Sequence, residues 1–147
     1  MQLYTIGFAK KDAKTFFGLL KEHQIRLLMD VRLNNVSQLA SYTKKNDLMY
    51  FLKQLGDIAY YHALVLAPTK ELLDHYKKKE ISWAEYETEY NALIRRRQVK
   101  EVLRENLQDN FDKVCLLCSE VEPNKCHRRL AAEYIKEYMG DIEIIHL

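Results

Sequence analysis

The alternation of short apolar runs with longer segments of helical spacing constrains this fold more than any other sequence feature. Runs typical of strands occur at residues 3–6, 25–29, 58–62, 113–118 and 142–145. The segments between them carry apolar residues three and four positions apart, as helices do. Strands that alternate with helices usually pair in parallel. The sequence therefore predicts one α/β domain over residues 1–147, with a mainly parallel sheet flanked by helices in a Rossmann-like layered architecture.

Capping patterns predict where several helices begin and end. Asp12 is suited to cap the first helix, and Ser82 with Glu85 three residues later forms a capping-box pattern. The apolar spacing after Ser82 allows that helix to continue to Leu107. Gly56 follows a helical segment and predicts a helix end. Residues 33–42 are polar and predict an irregular surface loop.

Composition and charge limit the cellular setting and the partners. No apolar run approaches the about 20 residues that span a bilayer, and the first residues lack the features of a signal peptide. Three cysteines, an odd number, do not suggest a secreted disulfide scaffold. We therefore expect a cytoplasmic protein with no membrane partner. The net charge of +2 neither requires nor excludes a nucleic acid as partner.

Polar and reactive residues stand where four of the predicted strands end. Gly7 follows the first strand, Asp30 and Arg32 the second, His62 the third and Cys118 the fourth. Ligands of open α/β sheets bind outside the carboxyl ends of the strands, so we expect these residues to converge on one site. Gly7 would allow the backbone to approach a ligand closely.

The segment that begins at Cys118 is the richest in candidate catalytic residues. Residues 118–128 read CSEVEPNKCHR and join a buried strand to a predicted helix. The helix start can bind an anion, and the helix dipole would lower the pKa of Cys126 and favour its thiolate. His127 is suited to act as a general acid or base, and Arg128 can bind a phosphate or carboxylate.

Four residues have a functional and a structural interpretation. Asp30 and Arg32 point to the same side if the strand continues through them, so they form an ion pair or present Arg32 to a substrate anion. His62 can face the cysteines of the motif as a base or ligand, or be a structural histidine. Glu120 can orient a basic residue of the site.

Zinc is an alternative explanation of the same cysteines. Cys115, Cys118, Cys126 and His127 are residue types that zinc prefers. Residues three apart in a strand face opposite sides of the sheet, which separates Cys115 from Cys118. A four-ligand structural site is therefore disfavoured, whereas a site of Cys118, Cys126 and a distant histidine stays an alternative.

These motifs together resemble the DUF488 family of uncharacterised proteins. The resemblance rests on Asp30-Val31-Arg32, on Tyr60-x-His62 and on the C-x-E-x-x-P-x-x-C-H-R pattern of residues 118–128, and it extends over essentially the whole chain. It implies an α/β fold and a shared site, without a known function. Family members usually carry His or Tyr and then Ser after Thr-Ile-Gly, whereas this chain carries Phe8 and Ala9. That difference argues against proton transfer by the first loop.

The sequence supports three hypotheses of function. The first is an enzyme for a phosphorylated or otherwise anionic, nucleotide-like substrate, with the anion on Arg32 and Arg128, a thiolate from a cysteine and a histidine that moves protons. The second is a non-catalytic binding module for a nucleotide or a nucleic-acid-associated complex. The third is a metal site built from Cys and His. We expect no cofactor, and the sequence does not determine the oligomeric state.

Two further sequence observations narrow these hypotheses. The tyrosine-phosphatase loop, in which Arg follows Cys after five residues, is absent because Asn124 occupies the Arg position. The ten tyrosines mostly follow helical spacing, which predicts core positions rather than base-stacking platforms.

Overall fold

The computed structural model describes residues 1–36, 40–107 and 112–147. Within these residues the strands are β1 (Gln2–Gly7), β2 (Leu27–Asp30), β3 (Ala59–His62), β4 (Lys113–Cys118) and β5 (Glu143–His146). They form one sheet in the order β3-β2-β4-β1-β5, and every neighbouring pair is parallel. The predicted α/β class with a parallel sheet is confirmed.

Six helices connect the strands in the described parts of the chain: α1 (Ala13–Glu22), α2 (Lys45–Gly56), α3 (Lys70–Lys77), α4 (Trp83–Arg96), α5 (Val99–Leu107) and α6 (His127–Met139). Short 3-10 turns occupy Ser41–Thr43 and Leu64–Leu66. Asp12 caps α1 by accepting the backbone N–H of Thr15, and Ser82 with Glu85 forms the capping box of α4. Both predicted helix starts are confirmed.

The structure differs from the predicted helix ends at two positions. The helix that could have continued to Leu107 is interrupted at Gln98, which has a positive φ of 52° that a helix does not accommodate. At the end of α2, Gly56 is the last helical residue and Asp57 takes the left-handed conformation, with φ 50°. Of the predicted surface loop, residues 37–39 lie outside the described residues.

Helices cover both faces of the sheet and bury two apolar cores. On one face, α1 and α2 pack through Phe16, Leu20, Leu48 and Leu52. On the other, α4, α5 and α6 pack through Tyr90, Leu103, Leu130 and Ile135. The side chains of β4 alternate between these cores, which places Cys115 and Cys118 on opposite faces as predicted. This three-layer arrangement is the expected Rossmann-like architecture.

The register of the sheet brings three strand ends together at one edge. Gly7 at the end of β1 pairs with Cys118 at the end of β4, and Asp30 at the end of β2 pairs with Leu117. The loops that follow these strands therefore leave the sheet side by side. None of the helices in the described residues is long and apolar enough to cross a membrane.

Candidate functional site

A cavity of about 270 Å³ lies at the carboxyl edge of the sheet. Its charged and reactive lining residues are Arg32, Lys77, Cys118, Glu120, Lys125, Cys126 and His127. Its aromatic lining residues are Phe8, Tyr76, Trp83 and Tyr86. The cavity thus joins the loops after β1, β2 and β4 to the helices α3, α4 and α6.

Cys118 is the last residue of β4, and hydrogen-bond donors surround its buried sulfur. Cys126 Sγ lies within 4.8 Å of this sulfur, and the backbone N–H groups of Ser119 and Glu120 follow it directly in the chain. The interaction with Cys126 has the largest effect and lowers the pKa of Cys118. The backbone N–H groups and the charge of Arg128 lower it further, whereas burial raises it. Hydrogen bonds to the charged form of a group favour that form. Of the two cysteines, Cys118 is therefore the one whose thiolate form is favoured.

Cys126 precedes α6 as its capping residue, and its pKa is raised rather than lowered. The hydrogen bond to Cys118 and burial both keep the proton on its sulfur. Our prediction that the helix dipole favours the Cys126 thiolate is therefore wrong. A helix terminus stabilises a charge by about 0.3–1 kcal/mol, which is less than the several kcal/mol that burial of a charge costs.

His127 is the first residue of α6, and its ring lies between Cys118 and the end of β2. Nε2 is 2.7 Å from the carbonyl oxygen of Val31. A carbonyl only accepts hydrogen bonds, so Nε2 carries the ring hydrogen and Nδ1 is the unprotonated nitrogen of the neutral ring. Both ring nitrogens are 3.7 Å from Cys118 Sγ. His127 can therefore accept a proton beside the reactive sulfur.

The same residues could also hold a metal ion. The ligand atoms of Cys118, Cys126 and His127 all lie within 4.8 Å of one another. Zinc binds sulfur at about 2.3 Å and nitrogen at about 2.0–2.1 Å, which separates the two by about 3.6 Å on a tetrahedral ion. The distance here is 3.7 Å. The Val31 carbonyl on Nε2 also matches the outer hydrogen bond of metal-binding histidines. The histidine of this cluster is the neighbouring His127, not a distant one.

Asp30 and Arg32 form a buried ion pair beside the cavity. Asp30 Oδ1 accepts from Arg32 Nε at 2.8 Å, and Oδ2 accepts from Nη2 at 2.7 Å. Nη2 also donates to the carbonyl oxygen of Thr43 at 2.7 Å, and the hydroxyl of Tyr60 donates to Asp30 Oδ2 at 2.7 Å. These contacts fix the orientation of the guanidinium group.

The third nitrogen of the guanidinium, Arg32 Nη1, has no hydrogen-bond partner. Across residues 1–36, 40–107 and 112–147, no other buried side-chain nitrogen or oxygen lacks one. Arg32 lines the cavity, and its guanidinium carbon is 5.4 Å from the centre of the Phe8 ring. Buried donors are normally bonded, so an acceptor on a ligand would satisfy Nη1.

Arg128 is fully buried and its guanidinium group points to the protein interior. It donates to the carbonyl oxygens of Glu120 and Val121 and to the hydroxyl of Thr5. These contacts hold the loop after β4 and give no support to direct binding of a substrate by Arg128. Its charge acts on the site through Cys118, whose pKa it lowers.

Gly7 and Glu120 belong to the contacts that shape this loop. Gly7 provides the space for the carbonyl group of Glu120, so the close approach that we expected at Gly7 is made by this loop rather than by a ligand. The Glu120 carbonyl, and not its carboxylate, contacts Arg128. The exposed side chain of Glu120 lines the cavity.

His62 lies behind Arg32 and is not among the residues that line the cavity. Its Nε2 is 2.7 Å from the carbonyl oxygen of Arg32, and its Nδ1 is 3.1 Å from the amide nitrogen of Asn35. Asn35 also donates to the hydroxyl of Tyr60 at 3.0 Å. Of the two interpretations of His62, these contacts support the structural one.

Sequence reasoning missed the aromatic side of the cavity. The tyrosines were predicted only as core residues, and Trp83 only as a residue of a helix. Tyr76, Trp83 and Tyr86 do pack on the core that α4 forms, but they also line the cavity. The three-residue spacing of Trp83 and Tyr86 indicates that they share a face of α4. Spacing alone does not show that this face borders a cavity.

Comparison with known proteins identifies the family of the chain. The profile described as "Domain of unknown function DUF488" matches residues 12–135, which include β2, β4 and the whole cysteine motif but not Gly7 and Phe8. No curated protein and no solved structure matches the chain significantly. Because the match covers most of the 147 residues, the chain belongs to the DUF488 family, whose function is unknown.

Proposed function

We propose that this protein is an enzyme that uses the thiolate of Cys118 on a small phosphorylated or otherwise anionic substrate. One observation carries the proposal: the same cavity is lined by a cysteine sulfur with a histidine ring 3.7 Å away and by an arginine that has a buried, unpartnered nitrogen. A thiolate is the nucleophilic form of cysteine. A guanidinium nitrogen is a strong donor to phosphate and carboxylate oxygens.

The charges around the cavity favour an anion. Arg32, Lys77 and Lys125 line it with positive charge, and Glu120 is the acidic residue of the lining. The buried charge of Arg128 adds to this field, because its partners are neutral oxygens. Clefts lined by one sign of charge concentrate ligands of the opposite sign.

Each residue of the cluster has a role in a nucleophilic step. Cys118 Sγ would form a bond to the electrophilic atom of the substrate while the bond to the leaving group breaks. The S–H group of Cys126 and the Nδ1 atom of His127 would exchange a proton with the leaving group or with water. Arg32 Nη1 would bind the anionic group throughout.

Alkylation of the native protein tests this proposal. We expect iodoacetamide near neutral pH to modify Cys118 at least about tenfold faster than free cysteine, because a larger fraction of its sulfur is thiolate. Peptide mass spectrometry identifies the modified residue. Cys118→Ser should abolish the fast reaction, whereas Cys115→Ser, the matched control on the opposite face of the sheet, should leave it unchanged.

Slow alkylation would point instead to the non-catalytic binding module. If Cys118 reacts no faster than free cysteine, and if Cys118→Ser still binds inorganic phosphate as the unchanged protein does, the nucleophilic role is wrong. Such a protein would bind its ligand through Arg32 without covalent chemistry.

A metal site is the second candidate, favoured by the three ligand atoms within 4.8 Å of one another. It differs from the first candidate in that Cys118 would be a metal ligand rather than a free thiolate. Protein purified without chelator or added metal would then contain about one zinc ion per chain. Cys126→Ala should lose this zinc and Cys115→Ala should keep it. A metal content far below one ion per chain rules the candidate out.

A further inference from the structure

We propose that the substrate carries a flat aromatic ring beside its anionic group, as a nucleoside monophosphate does. The ring would stack on the partly exposed members, Tyr76 and Trp83, of an aromatic wall formed by Tyr76, Trp83 and Tyr86. This inference rests on the proposed function and names the class of its substrate.

The three side chains form a continuous aromatic surface. The ring centres of Tyr76 and Trp83 are 5.5 Å apart, and those of Tyr76 and Tyr86 are 5.2 Å apart. Trp83 and Tyr86 are 5.0 Å apart and lie within 19° of parallel. Tyr86 is 1% exposed, whereas Tyr76 and Trp83 are only partly buried. All three line the cavity. Because Tyr86 stacks on both Trp83 and Tyr90, the aromatic surface available to a ligand is that of Tyr76 and Trp83.

The cavity is larger than a small inorganic anion requires. A volume of about 270 Å³ accommodates about nine water molecules at about 30 Å³ each. Inorganic phosphate has only five non-hydrogen heavy atoms and would leave much of this space to solvent. Small-molecule pockets usually span about 300–1,000 Å³, so the cavity suits one ring system with one anionic group rather than a dinucleotide.

The aromatic wall reaches the reactive sulfur. Trp83 and Tyr86 line the same cavity as Cys118 and Arg32. Tyr86 also stacks on Tyr90, whose ring centre is 5.7 Å from that of His127. A ring stacked on this wall would therefore hold its attached anionic group near Cys118 and Arg32. Aromatic side chains are the usual stacking partners of bases because every base has a flat π-face.

Four probes separate the ring from the anion. Adenosine 5′-monophosphate and phenyl phosphate carry both, whereas ribose 5-phosphate and inorganic phosphate carry the anion alone. By isothermal titration calorimetry of the full chain, we expect each ring-bearing probe to bind at least about tenfold more tightly than its ringless counterpart. Trp83 is the one tryptophan of the chain, so quenching of its fluorescence reports stacking directly.

Two substitutions of Trp83 test the wall itself. Trp83→Leu should remove most of the preference for ring-bearing probes while leaving the affinity for ribose 5-phosphate unchanged, and Trp83→Phe should keep most of it. Tyr50→Leu is the control, because Tyr50 is an aromatic residue of α2 that is 61% exposed and does not line the cavity. Thermal unfolding of each variant verifies that it is folded.

The outcome separates this inference from the proposed function. Equal affinities for ring-bearing and ringless probes, or binding of neither kind, would overturn the inference, even if Cys118 is alkylated rapidly. A clear ring preference that persists in Cys118→Ser supports it, even if alkylation is slow and the thiol chemistry is therefore wrong.

Discussion

Gly7 and Glu120 approach so closely that a Cβ atom on Gly7 would overlap the carbonyl oxygen of Glu120. The same atom would lie 2.7 Å from Nη1 of Arg128. The approach follows from the sheet, because Gly7 and Cys118 are register partners at the ends of β1 and β4. The loop that carries the hydrogen-bond donors of Cys118 is thus packed on a residue without a side chain.

Gly7→Ala should destabilise the protein, because the loop after β4 must move to admit the methyl group. We expect a loss of about 1–3 kcal/mol, or more, in the free energy of unfolding measured with urea. Gly18→Ala is the matched control: Gly18 is exposed in α1, and no atom lies within 4 Å of its added Cβ. Helix propensity should make that variant more stable by about 0.5–1 kcal/mol. Equal effects of the two substitutions would contradict this account.

Arg128→Lys should also weaken the site, although it conserves the charge. A lysine ammonium cannot reproduce the fork with which Arg128 reaches the carbonyl oxygens of Glu120 and Val121. A carbonyl left unbonded in the interior costs about 1–3 kcal/mol, and urea unfolding would measure the loss. Arg129→Lys, which changes ion pairs with Glu87 and Glu133 and one exposed hydrogen bond to the Asn124 carbonyl oxygen, should cost less than about 1 kcal/mol. The prediction fails if Arg129→Lys is the more harmful of the two.

Asp30→Asn should be strongly destabilising, because it leaves the buried guanidinium group of Arg32 without its carboxylate. Breaking a buried ion pair from one side costs about 3–5 kcal/mol. Tyr60→Phe removes one hydrogen bond to Asp30 and one from Asn35 but leaves the ion pair, and should cost about 1.5–3 kcal/mol. Asp74→Asn makes the same change in an exposed ion pair and should have little effect. A loss for Asp30→Asn no larger than that for Asp74→Asn would refute the prediction.

The pH dependence of alkylation should depend on Cys126. The S–H group of Cys126 lowers the pKa of Cys118, so thiolate reactivity is present above that pKa and is lost as the pH falls through it. Cys126→Ala removes the donor and should shift the midpoint of alkylation rate against pH to a higher value. Cys126→Ser keeps an O–H donor and should shift it less. The alkylation rates of both variants are measured on chelator-treated protein. An unchanged midpoint in Cys126→Ala would show that the hydrogen bond has no effect on the pKa of Cys118.

The sequence by itself determined the order of the elements and the edge of the sheet that carries the site. Capping bonds span only three residues, so Asp12 and Ser82 locate the starts of α1 and α4. Successive side chains of a strand point to opposite faces of the sheet. This local rule assigned Cys115 and Cys118 to opposite faces. The parallel sheet then followed from the alternation of strands with helices.

Only the tertiary structure decided what each group at that edge contacts. Which of the two cysteines keeps its proton depends on the interaction between Cys118 and Cys126, which lie eight positions apart in the chain. This interaction lowers the pKa of Cys118 and raises that of Cys126. The guanidinium group of Arg128 contacts the loop after β4 because that loop presents carbonyl oxygens to it. Trp83 borders a cavity because the loops after β1, β2 and β4 lie on the opposite side of that cavity. Spacing along the chain gives the face on which a side chain lies. It does not give the atoms that the rest of the fold packs against that face.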